Sequence, residues 1–211
     1  MFSDQDLAVM DSIIKRYPRS RSAIMPLLHY VQSKAGYVTN EGIELIAKLL
    51  TLETAEVSAV ATFYTQYKRK PVGEYHVGVC TNTLCAVMGG DAIFGALKEH
   101  LAIENDGVTA DGKVSLEHIE CNAACDYAPV VMANWEFYDN QTVESAKALV
   151  DGARAGNPPA PTRGPNRLVT YKQASAVLAG LNDGLAGEGV QAGPATLLGL
   201  GIARAQEKGG K

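Results

Sequence analysis

The sequence predicts an α+β fold: an N-terminal helical bundle, then a small sheet covered by helices, then an extended C-terminal tail. Three observations carry this. Apolar residues recur at helical spacing up to about residue 70. Between 71 and 154 runs of strand period alternate with helical runs. From 155 to 211 glycine and proline take over, and that stretch holds 11 of the 21 glycines and 5 of the 9 prolines. The domain boundaries follow as 1–70, 71–154 and 155–211.

The helices justify themselves in order. Leu7, Met10, Ile13, Ile14 and Tyr17 share one face, with Ser3 as a cap and Pro18 as a stop. Ile24, Leu27, Leu28 and Val31 mark a second helix over about 20–35, closed by Gly36. Thr39 caps a third bearing Ile43, Ile46, Leu49 and Leu50, and Thr51 is expected to cap a fourth bearing Val57, Val60, Ala61 and Tyr64. Four short helices with brief links form a bundle. In the second zone Tyr75, Val77 and Val79 form a strand ending at Cys80. A helix over about 90–101 turns Ile93, Phe94 and Leu97 inward. Val114, Leu116 and Ile119 form a strand that precedes Cys121. Residues 129–132 and 135–138 pair around Ala133-Asn134, and a last helix runs from Thr142 to about Arg154. The order is β-α-β-β-α. The tail has one expected helix, from about Tyr171 to Leu181; runs such as GNPPAPTRGP are extended.

The 211 residues are 46% apolar and 20% charged, which excludes wholesale disorder, a collagen and a disulfide-dense miniprotein. The formal charge is −4 with no basic block, so nucleic acid is an unsuitable partner. No run of about 18 apolar residues predicts membrane insertion. The acidic start MFSDQDLAVMDSIIKRYP lacks an apolar signal core, so a reducing compartment with free thiols is expected.

Chemistry concentrates in the cysteines. They fall as Cys80-x4-Cys85 and Cys121-x3-Cys125 with 35 residues between, and none is left over. Each pair follows a strand, so two neighbouring loops at one sheet end would gather four sulfurs. A [2Fe-2S] cluster takes two thiolates per iron, one loop per iron. Its net negative charge needs backbone N–H donors, which Thr81-Asn82-Thr83-Leu84 and Asn122-Ala123-Ala124 supply, while Leu84, Ala123, Ala124 and Pro129 keep water away. Structural zinc also accepts four cysteines, although C-x2-C knuckles are its usual form. Two disulfides or four unrelated thiols are further readings. A thioredoxin-type dithiol and a Rieske centre fail for want of C-x-x-C and of cysteine–histidine pairs. His29, His76, His100 and His118 are scattered, and no dinucleotide loop, phosphate loop or nucleophile triad is present.

The runs VGVCTNTLC and ECNAACDYAPVV, with PLLHYVQSKAGYV and VATFYTQY, resemble the NuoE-type subunits of respiratory complex I over about residues 5–150. The resemblance implies a thioredoxin-like second domain and Cys80, Cys85, Cys121 and Cys125 as ligands of a [2Fe-2S] cluster. It implies a NuoF-type partner carrying FMN, NADH and a [4Fe-4S] cluster, a NuoG-type iron–sulfur subunit, and the rest of complex I. It places the chain in the peripheral arm, on the cytoplasmic or matrix side of the membrane. The whole enzyme would pass electrons from NADH to quinone and pump protons, with no activity in this chain alone. The same subunit type serves NAD-linked formate dehydrogenases and hydrogenases; a free-standing ferredoxin and a zinc-stabilised adaptor are the other readings. The tail departs from the family core. It is expected to wrap over the partner, so truncation after Arg154 should spare the cluster and weaken attachment.

Overall fold

The computed structural model describes residues 2–209. They divide into two units, neither continuous in sequence. The first takes the chain up to Tyr75 together with Val169–Asp183, and the second takes His76–Leu168 together with the segment from Gly184.

The first unit is helical: α1 (Asp4–Ile14), α2 (Ile24–Ala35), α3 (Asn40–Leu50), α4 (Thr54–Phe63) and α8 (Tyr171–Leu178). Ser3 and Asp6 cap α1 reciprocally, and Thr39 caps α3 by accepting from Gly42 N–H at 3.0 Å. Gly36 ends α2 at φ +84°. Thr51 does not cap α4. It sits in the left-handed region at the end of α3, and Glu56 accepts the Glu53 N–H at 3.0 Å to open α4. Met10, Ile13, Leu27, Leu28, Val31, Ile46 and Val57 fill the core. α8 packs along α2, where buried Gln32 is satisfied on both ends: its amide nitrogen donates to Gln66 O and to Ser175 Oγ, and its oxygen accepts from Lys68 N–H.

The second unit holds a five-stranded sheet in the order β2 (Gly107–Val108), β3 (Val114–Ile119), β1 (Tyr75–Cys80), β4 (Val131–Ala133), β5 (Glu136–Tyr138). Central β1 is buried throughout, His76 and Gly78 included. β4 runs antiparallel to β1 and to β5. The β4–β5 turn is Asn134-Trp135, both at positive φ, one residue later than the sequence suggests. Contacts between β1 and β3 advance in step: His76 meets Ser115 and Glu117, and Gly78 faces Ile119. The two strands therefore run parallel, and Cys80 and Cys121 leave the sheet at the same end. α6 (Gly90–Leu101) and α7 (Val143–Arg154) pack on each other and on β3.

The segment beyond Arg154 differs from a plain extended arm. Besides α8 it forms α9 (Pro194–Gly209), and its residues are shared between the two units. The anchors are Tyr171 and Leu168, both buried, which a reading of glycine and proline content passes over.

Candidate metal centre

Two loops build the site. The first leaves β1 at Cys80 and turns into the five-residue helix α5 (Thr83–Val87), which carries Cys85. The second leaves β3, passes Cys121, and enters the 3-10 turn Cys125–Tyr127. Cys80 and Cys85 are buried at 2% and 3% exposure, whereas Cys121 and Cys125 are exposed. All four are free thiols.

The sulfurs come in twos. Cys121 Sγ and Cys125 Sγ are 3.5 Å apart, and the Cys80 thiol is hydrogen-bonded with Cys85. Two thiolates on one tetrahedral ion sit roughly 3.7 Å apart, given metal–sulfur bonds of about 2.3 Å. Among the described residues no three His, Cys, Asp or Glu side chains converge as one ion would need. Two pairs on neighbouring loops match the two thiolates that each iron of a [2Fe-2S] cluster takes.

Each loop also turns a backbone donor onto its first sulfur, two residues on. Asn82 N–H points at Cys80 Sγ, and Ala123 N–H lies 3.4 Å from Cys121 Sγ. Ala123 reaches this at φ +54°, a left-handed conformation that bends the loop back on itself. The Asn82 side chain ties the loops together by donating to Glu120 at 2.9 Å.

Electrostatics favour a cation here. Burial pushes the Cys80 thiol up to about 11, reinforced by Cys85 and Cys121 and opposed by the Asn82 N–H. The hydrogen bond and charge of Cys121 raise Cys125 likewise. Metal ions held by the sulfurs would displace those protons and remove the mutual repulsion. The donor set, its pairing and its backbone donors thus fit a [2Fe-2S] cluster.

Apolar packing closes one side only. Ala124, Val130 and Met132 are buried with Cys80 and Cys85. Pro129 is buried as expected, but Leu84 and Ala123 are exposed, because α5 turns Leu84, Val87 and Met88 outward. Gly90 was not visible as a site residue. A Cβ there would lie 2.4 Å from Cys80 O and 2.9 Å from Cys85 O, so only glycine lets α6 start against the first loop. Of the histidines, His76 is buried between Ser115 Oγ (2.9 Å) and Glu117 Oε2 (2.8 Å); both partners stand on the neighbouring strand β3.

The sequence profile of the thioredoxin-like [2Fe-2S] ferredoxins matches residues 10–154. The E subunit of the NADH-quinone oxidoreductase of Mycobacterium tuberculosis H37Rv is 62% identical over 194 residues, 91% of this chain and 76% of that protein. Its counterpart in Rickettsia bellii is 42% identical over 156 residues, 72% of this chain and 93% of that protein. The mycobacterial match necessarily runs past residue 154. Among solved structures, NAD+-reducing [NiFe]-hydrogenase in the H2-reduced state superposes with a TM-score of 0.56 at 20% identity. That superposition covers 64% of this chain and 23% of the hydrogenase chain, so the likeness is one of fold.

Proposed function

The chain belongs to the thioredoxin-like [2Fe-2S] ferredoxin family, and on that premise we propose that it is the one-electron carrier of an NADH dehydrogenase module, the E subunit of an NADH-quinone oxidoreductase. The observation that supports the reading is the pairing of the sulfurs, in which Cys80 and Cys85 would hold one iron and Cys121 and Cys125 the other. A [2Fe-2S] cluster, when bound, takes up one electron and gives it back. The chain's own residues set the conditions. Asn82 and Ala123 N–H groups offset the negative charge on the sulfurs. Ala124, Val130 and Met132 exclude water from the buried pair. The exposed pair faces outward, where a donor can approach.

The chain is an oxidoreductase subunit within a multisubunit complex. A flavoprotein subunit with FMN and the NADH site is the proposed direct partner, with a larger iron–sulfur subunit beyond it. The proposed place is the peripheral arm, on the cytoplasmic face. Among the described residues no helix is long and apolar enough to cross a membrane.

Single replacements test the ligand set. Cys80→Ser, Cys85→Ser, Cys121→Ser and Cys125→Ser in the full chain should each lose the cluster or change its absorption and paramagnetic resonance spectra. A variant with the unaltered spectrum would strike that cysteine from the set.

A further inference from the structure

The C-terminal segment grips the second cysteine loop at three points. The Arg163 guanidinium lies 4.0 Å from the Phe137 ring centroid and 5.4 Å from that of Tyr127. Gly193 presses on the Tyr127 hydroxyl, where a Cβ would come within 2.1 Å. The Thr196 hydroxyl donates to the Asp126 carboxylate at 3.4 Å. Asp126 and Tyr127 complete the turn that begins at Cys125, and Tyr127 is fixed further by its N–H to Ala124 O and by its carbonyl, which accepts from Asn140.

Arg163 does not act as a loose charge. Asp139, whose side chain is 8% exposed, faces it with Oδ2 3.0 Å from Nε and Oδ1 accepting from Nη2 at 3.1 Å. Thr162 completes the mount: its hydroxyl donates to Asp139 Oδ2, and its N–H donates to Phe137 O. The charge is therefore balanced locally, and what the guanidinium offers the loop is its planar face. Cys80 and Cys85 are held by the core, but Cys121 and Cys125 are exposed, so metal would escape on their side.

We propose that Arg163, stacked on Tyr127 and Phe137 and mounted on Asp139, is a positioning residue that clamps the turn Cys125–Tyr127 and keeps Cys125 beside Cys121. The C-terminal segment is thus part of the metal centre's support and not only an arm for a partner. This rests on the reading of the four cysteines as cluster ligands. Supporting contacts around metal ligands commonly change affinity by about 10-fold or more.

The test uses the reconstituted full chain, challenged with the iron chelator bathophenanthroline and followed by loss of visible absorbance. Arg163→Ala and Arg163→Lys should both release iron about tenfold faster than wild type. Lysine keeps the charge and loses the stack, so its failure to rescue is the signature of positioning. Wild-type release in both variants, or full rescue by lysine, would overturn the clamp. Should Arg163→Ala not fold, Gly193→Ala disturbs the same ring from its other contact and should give the same result. Amide hydrogen exchange of the metal-free chain provides the independent arm. Tyr127 and Ala128 should exchange faster in the Arg163 and Gly193 variants, and unchanged exchange would also overturn the clamp. A wild-type chain that takes up no iron would sink the ligand reading alone, while the exchange arm still decides the clamp.

Discussion

At the scale of single residues the site is asymmetric, with one sulfur pair inside the core and one at the surface. That the cysteines fall in two pairs, each just after a strand, was legible because count and spacing are one-dimensional facts. Gly90, Arg163 and the tie from the Asn82 side chain to Glu120 were not, because each matters through a contact that only the folded chain makes. Gly90→Ala should cost about 2 kcal/mol or more, since its Cβ would meet backbone carbonyls that have no way to yield. Urea unfolding of the variant checks this, and a wild-type midpoint would contradict it. His29 makes a second case. Buried against the Tyr67 ring with Nδ1 unpartnered, it is lowered to about 4 by desolvation. The unfolded chain takes up this proton near 6.5 and the folded chain only near 4. The neutral ring's contribution is therefore intact above pH 6.5 and is lost progressively between 6.5 and 4, by at most about 3 kcal/mol. His29→Phe should flatten that part of the stability–pH curve; an equally steep curve would remove His29 as its cause.

At the scale of elements, caps and periodicity located most helices. Ser3, Thr39, Gly36 and Thr142 all stand where the sequence put them. Thr142 accepts from Ser145 N–H and the Ser145 hydroxyl accepts from Thr142 N–H, so Thr142→Ala should lower stability by about 1 kcal/mol. An unchanged melting temperature would show that α7 does not depend on its cap. Thr51 misled because threonine is a favoured cap residue, yet the chain needed a left-handed residue there to end α3. The short elements β2 and α5 escaped notice because two and five residues carry no period. The helix α9 escaped because its glycines and its weak pattern argue against helix, and its Leu197, Leu198, Leu200 and Ile202 remain exposed.

At the scale of the whole molecule, the sequence shows zones in series, whereas the fold returns its C-terminal segment to both units. Strand and helix order are local signals. The docking of α8 beside α2 joins residues such as Gln32 and Ser175, which lie far apart in the chain, and no local pattern announces it. This changes one expectation. Truncation after Arg154 removes α8 from the helical unit and Arg163, Gly193 and Thr196 from the cysteine loop. The truncated chain should therefore melt at lower temperature and release iron faster, instead of keeping the cluster unaltered. Melting and chelation as in the full chain would return the segment to the role of an arm.

Four cysteines in two pairs are thus proposed to hold a two-iron cluster. Iron, zinc and acid-labile sulfide per full-length chain, with paramagnetic resonance before and after dithionite, decide between this cluster and a single ion. About two irons and two sulfides per chain are expected, with a signal that appears only on reduction. About one zinc per chain, with neither iron nor sulfide, would contradict it.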